Sequence, residues 1–221
     1  MAEAKARRGR GPSPQKTAET QARIVDAALA RFLSEGFERT RMLDVARDAG
    51  LAKGTLYLYF PTKEALFEGV LSLMLGGAVR RLEVEPPSPD EPTHDFVRRA
   101  LMPLVTDEQA ELRQALFRLI LTEGQRFPEV LAAYRKVALD PVLAAARRIG
   151  ARARARGEID SDALERLPML LLAPGVLVSI WNHMFPEEGL DPPDVFASYL
   201  DLLFGAPGAQ RKPGLADTTS T

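Results

Sequence analysis

Between Thr40 and Phe60 the chain reads TRMLDVARDAGLAKGTLYLYF, and its most chemically suggestive side chains cluster there. Lys53 supplies a positive charge, Tyr57 and Tyr59 supply phenolic donors, and Gly54 allows another molecule to approach the backbone closely. These types suit phosphate, whose oxygens accept hydrogen bonds from hydroxyl and backbone N–H groups without reporting base sequence. Thr62 and Lys63 open the next helix, where free N–H groups, the helix dipole and a cation favour a second anion contact. Nothing comparable proposes catalysis, and no enzyme is expected. His94 and His183 lie far apart, and no HExxH, GxSxG, GxGxxG or P-loop pattern occurs. With no cysteine, thiol chemistry and thiolate metal sites are excluded. No His pair or carboxylate cluster argues for a metal, and no cofactor is implied.

The elements that must position these groups follow from spacing. Thr40 is placed to cap a short helix that ends at Gly50, where a left-handed backbone costs glycine little. Ala46 is small enough for a second helix to cross closely, and that helix runs from about Lys53 to Phe60. Val45 and Leu56 fill the space between the two. This is the arrangement of a DNA-reading helix-turn-helix, the alternative being an αα-corner in which the tyrosines merely pack. Upstream, Ile24, Ala27, Ala28 and Phe32 mark one face of a helix that stops at Gly36. Downstream, Leu66, Val70, Leu73 and Met74 line the buried face of a helix from Thr62 to about Arg81, which Gly76-Gly77 either hinges or ends.

The rest of the chain also reads as helix, giving an all-α fold. Helices are predicted over about 94–105, 107–126, 129–156, 161–184 and 192–204, limited or kinked by Pro103, Pro128, Pro141, Pro168 and Pro174. Four prolines in the eight residues Glu85–Pro92 enforce a loop. The expected organisation is a disordered basic arm (1–18), a helix-turn-helix domain (19–65), a helical ligand-binding and dimerisation domain (66–205) and a disordered tail (206–221). Residues 1–75 carry 12 Lys/Arg against 9 Asp/Glu, whereas the remainder carries 17 against 21. A mildly basic head on an acidic body is compatible with nucleic-acid binding confined to the head. No secretion signal or membrane span is legible, so a cytoplasmic protein without membrane partners is expected.

The stretch ARIVDAALARFLSEGFERTRMLDVARDAGLAKGTLYLYFPTKEALFEGVL closely resembles the N-terminal domain of the TetR/AcrR family of bacterial regulators, over roughly residues 22–71. Its last part, AGLAKGTLYLYFPTKEALF, is the most specific. The resemblance implies a three-helix DNA-binding domain, a linking fourth helix, a helical ligand domain and a homodimer on a near-palindromic operator. It places Lys53, Gly54 and Thr55 where the family reaches bases and nearby phosphates, Tyr57, Tyr59 and Lys63 at phosphate contacts, and Thr40 at the cap before the second helix. Three positions depart from the pattern. Arg41 stands where Ser or Thr is common and supplies a charged contact, while Ala52 replaces a Ser that would cap the recognition helix. Leu58 takes a variable DNA-facing position where it can touch a thymine methyl. The function implied is a repressor that releases its operator on binding a small-molecule inducer. The alternative is a DNA-binding dimer whose second domain binds no small molecule or works through a protein partner.

In the C-terminal body, Phe196, Tyr199, Leu200, Leu203 and Phe204 form an apolar stripe. With Leu177, from a segment that is apolar nearly all round, Phe196, Tyr199, Leu200 and Leu203 are expected at a dimer interface. The alternative is that both helices complete the monomer core. Phe117, Leu121, Tyr134, Met169, Trp181 and Met184 are candidate ligand contacts, with Glu123, Gln125, Asn182 and His183 as polar partners. Pro174 predicts a kink and a freed carbonyl in mid-helix. Arg148, Arg152 and Arg156 recur on one helix face, which reads as solvated surface, an anionic-ligand or second nucleic-acid patch being the alternative. Arg7, Arg8 and Arg10 belong either to a solvated tail or to a minor-groove arm.

Overall fold

The structure, a computed structural model, describes residues 14–83 and 85–205. Among the described residues all regular structure is helical and no strand occurs. The basic arm, apart from its last five residues, and the C-terminal tail lie outside the described residues. Those five are helical rather than irregular, because α1 (Pro14–Arg39) begins there. Its helical path breaks at Gly36, where φ is +83°. The next elements are α2 (Met42–Asp48), α3 (Lys53–Tyr59) and α4 (Lys63–Glu83), matching the expected sequence of helices. Helix α4 passes through Gly76-Gly77 without ending, so the glycine pair is not a terminator.

The chain divides into two compact units, and the division differs from a break at residue 65. One unit holds the residues up to Gly77 together with Leu112–Leu139, and the other holds Ala78–Glu111 and the residues from Asp140 onward. The cause is packing. Leu116, Leu119 and Ile120 of α7 (Ala110–Glu123) and Val130 and Ala133 of α8 (Pro128–Tyr134) join the same buried cluster as the first four helices. At its centre Phe32, Phe37 and Phe67 meet with ring centroids 5.1–5.7 Å apart. Each is fully buried, so each contributes roughly 1.5–3 kcal/mol of apolar transfer.

The second unit contains α5 (Thr93–Leu101), α6 (Pro103–Thr106), α9 (Asp140–Ala155), α10 (Ala163–Arg166), α11 (Ala173–Met184) and α12 (Pro192–Phe204). Prolines set its segmentation. At the first unit's end the ladder widens to a π turn over Arg135–Leu139, just before Pro141, whose missing N–H and ring disallow a regular turn. The helix expected over 161–184 is three pieces: α10, a 3₁₀ turn Pro168–Leu172, and α11. Pro174 therefore sits in the first turn of α11 rather than in mid-helix, where its lack of a donor matters least. The carbonyl four residues earlier, that of Leu170, accepts the Tyr199 hydroxyl at 2.5 Å. His94 is buried with one ring nitrogen 2.9 Å from Asp95 and the other 3.1 Å from Asp201, tying α5 to α12.

Phe196 and Leu200 are buried in this unit's own core and cannot form a dimer interface. Leu203 is half-buried against the same core, and the hydroxyl of Tyr199 is used on Leu170. Burial also pushes the Tyr199 phenol pKa up. The stripe on α12 thus completes the monomer. Leu177 on α11 is exposed.

Candidate nucleic-acid interface

Helices α2 and α3 meet through Val45 and Leu56, both fully buried, with Ala46 and Ala49 beside them. Gly50, at φ +64°, makes the turn, and the Leu51 N–H closes back on the Ala46 carbonyl at 2.9 Å. This is a Gly-terminated helix followed at once by a second one, as the spacing predicts.

The frame is braced by contacts that sequence spacing did not reveal. Arg31 of α1 binds Asp48 at the end of α2 at 2.5 Å and also pairs with Glu35. The Arg31 guanidinium holds the Asp48 carboxyl below the usual carboxylate range. Arg23 donates to the Ala49 carbonyl, satisfying an orphan acceptor at the end of α2. Glu123 of α7 accepts the Phe37 N–H at 2.7 Å just beyond the break at Gly36. A Cβ at Gly36 would lie 2.2 Å from the Glu123 Oε1, so only glycine fits both the backbone and the neighbour. Only Arg31–Glu35, with its i,i+4 spacing, was legible; the other partners lie 17 to 86 residues apart.

Helix α3 presents Lys53, Gly54, Tyr57 and Leu58 outward, Leu58 being 85% exposed. Thr55 and Tyr59 are half-buried on its flanks. The Lys53 ammonium lies 5.7 Å from the Tyr57 ring centroid, and among the described residues nothing comes within 4 Å of a Cβ built at Gly54. Arg41 is exposed at the start of α2, where it stands as the cap residue without a side-chain cap bond. Ala52 likewise gives α3 no side-chain cap.

Two expected contacts are placed differently. Thr40 neither caps α2 nor faces outward: it is 2% exposed, and its hydroxyl donates to the Gly36 carbonyl at 2.7 Å. The break at Gly36 leaves that carbonyl needing a donor, and Thr40 is the nearest hydroxyl one turn on. Lys63 has its ammonium 2.8 Å from the Phe37 carbonyl and 3.1 Å from that of Glu38, over the Phe37 ring. Its charge therefore serves the end of α1 first. Thr62 accepts the Ala65 N–H at 3.1 Å, capping α4.

The candidate ligand contacts do not converge. Phe117 and Tyr134 meet edge to face in the first unit at 6.3 Å, and burial pushes the Tyr134 phenol up, but Leu121 beside them is exposed. Met169, Trp181 and Met184 are exposed in the second unit, where Trp181 donates to the Glu188 carbonyl. The polar partners fare similarly. Asn182 binds the backbone of Leu190 on both sides, Glu123 is taken by Phe37, and Gln125 and His183 are exposed.

A Gly-turned helix pair with one exposed basic and phenolic helix defines a helix-turn-helix DNA-binding protein. Comparison with known proteins agrees. The model of bacterial regulatory proteins of the tetR family matches residues 24–70, and that of the tetracyclin repressor-like C-terminal domain matches residues 92–191. The HTH-type transcriptional regulator UidR of Escherichia coli K12 is 30% identical over 166 residues, 73% of this chain and 81% of that protein. YfiR of Bacillus subtilis is 37% identical over 75 residues, a match that spans only 37% of that regulator. Among solved structures, Salmonella enterica GusR superposes with a TM-score of 0.66 at 24% identity, covering 88% of this chain and 98% of that one. FadR from Bacillus subtilis, in complex with stearoyl-CoA, does so at 0.62 and 21%, covering 84% and 98%. The chain belongs to the TetR family of bacterial transcriptional regulators.

Proposed function

We propose that the protein is a repressor that binds a near-palindromic operator as a homodimer and releases it when a small-molecule inducer occupies the second unit. The observation that carries the reading is the outward row Lys53, Gly54, Tyr57 and Leu58 on a helix whose seating is fixed by buried Val45 and Leu56. Helix α4 supports the coupling. It is continuous from Lys63, beside the operator-reading helices, to Glu83, and the boundary between the two units falls within it at Gly77. Ligand response is supported by the structural likeness to FadR in complex with stearoyl-CoA. A homodimer is supported by α11, where Leu177, Ile180, Trp181 and Met184 recur on one face and are all exposed.

The test is a titration against DNA from upstream of the protein's own gene at two salt concentrations, with Lys53→Ala and Tyr57→Ala alongside. Tight, salt-sensitive, competitor-resistant binding that both variants weaken is expected. Binding no tighter than to random DNA, across fragments selected genome-wide as well, overturns the reading.

A further inference from the structure

The geometry points to a binding site in the second unit for a small monocarboxylate with a compact apolar body, gripped by Arg148 beneath the proline-rich segment that follows α4. It rests on the ligand-responsive reading above and names the class of ligand.

The site is a cavity of about 230 Å³. Leu82, Phe96, Ala145 and Ile149 form its apolar wall, each at most 6% exposed, and Pro86 and Pro87 line it on the loop side. That loop is held to α9 by the arginines that read as a solvated face. Arg152 donates to the carbonyls of Ser88 at 3.0 Å and Glu91 at 2.9 Å and to the Thr93 hydroxyl at 3.0 Å. Arg156 donates to the Pro89 carbonyl, and Glu158 accepts the Thr93 N–H at 3.2 Å. The proline segment is therefore a fastened wall.

Arg148 differs from its two companions. It lines the same cavity, one turn before Arg152, and among the described residues its guanidinium has no hydrogen-bond or ion-pair partner. Arg152 acts on the Glu91 carboxylate and Arg156 pairs with Glu158, so of the three arginines Arg148 is the one left to meet an added anion. Like charges four residues apart on a helix repel, and an anion between them relieves this. A guanidinium offers a fork that suits a carboxylate, and the apolar wall beside it suits the ligand's apolar body. The volume lies below the ~300–1,000 Å³ of pockets for drug-sized ligands, which selects a short aliphatic or single-ring acid.

The experiment titrates full-length protein by calorimetry and thermal melting with monocarboxylates from propanoate to octanoate and from benzoate to phenylbutanoate, each beside its neutral amide. Operator release is measured on the same samples. One or more acids are expected to bind, to raise the melting temperature and to exceed their amides by about tenfold or more. Arg148→Met, at an exposed position, is expected to melt like wild type unliganded and to lose the preference for acid over amide. Equal binding of acid and amide, unchanged binding in Arg148→Met, or no acid binding at all overturns the site. If operator is bound and a different class of compound releases it while no acid binds, the site falls and ligand response stands. If no operator is bound, the underlying reading falls, and the calorimetry judges the site alone.

Discussion

Thr40 and Lys63 occupy positions where the sequence pattern implies DNA contact, yet each has partners inside the protein. Thr40 serves the Gly36 carbonyl, and its burial keeps it from phosphate. Thr40→Val is expected to lower unfolding stability by about 1–2 kcal/mol, because it strands a part-buried acceptor. It should leave intact the salt dependence of operator binding measured with folded protein. Lys63 is half-buried and donates to two carbonyls, so Lys63→Met is expected to cost about 1–2 kcal/mol of stability. Tyr57→Phe is expected to do the opposite, keeping the denaturation midpoint while weakening operator binding. Urea melts and a salt titration on the three variants separate these roles. Lys63→Met with wild-type stability would return that residue to the phosphate side.

At the scale of elements, α4 and the loop after it carry the clearest expectations. Each glycine of the pair Gly76-Gly77 costs a helix interior about 1 kcal/mol relative to alanine, so Gly76→Ala with Gly77→Ala stiffens α4 at the boundary between the units. Operator affinity without ligand is expected to persist and ligand-driven release to weaken; unchanged release removes the hinge. The loop responds to acid. The Arg99 hydrogen bond holds Glu91 below the ordinary carboxylate range. Burial pushes Glu158 up, but its hydrogen bonds with Thr93 and Arg156 outweigh that and leave it lowered. A depressed native pKa gives stability that is complete above the unfolded value of ~4.3 and is lost as pH falls through the native value. Melting temperature is therefore expected to drop below about pH 4, with Glu158→Gln showing a shallower acid limb. Helix periodicity alone located α2, α3 and α12, because local apolar spacing and glycine or proline punctuation decide them. It did not reveal that α7 and α8 pack with the first four helices, since Leu116 and Val130 join the cluster around Phe67 only through tertiary packing. Nor did it reveal the arginine fastenings, whose acceptors are backbone carbonyls more than 60 residues away. The outward face of α3 was legible, because burial of Val45 and Leu56 forces its opposite side into solvent.

For the whole molecule, the question is what covers α11. The helix exposes Val176, Leu177, Ile180, Trp181 and Met184 together, a larger run of apolar side chains than scattered surface residues make. On α12, Phe196 and Leu200 are already used inside the chain. A second copy of α11 is self-complementary to such a face under twofold symmetry. In the homodimer we propose, two half-sites of a near-palindrome would bind one dimer, and the second contact would become intramolecular at high effective concentration. Ile180→Asp puts a charge in the middle of the stripe without touching a buried residue. Helicity and the α3 surface are expected to survive, while light scattering reports a monomer and operator affinity falls by about 10²-fold or more. Binding to a single half-site should change little, which separates loss of the dimer from damage to the reading head. If Ile180→Asp remains dimeric with unchanged operator affinity, the α11 face is not the interface and the twofold pairing must be sought on another surface.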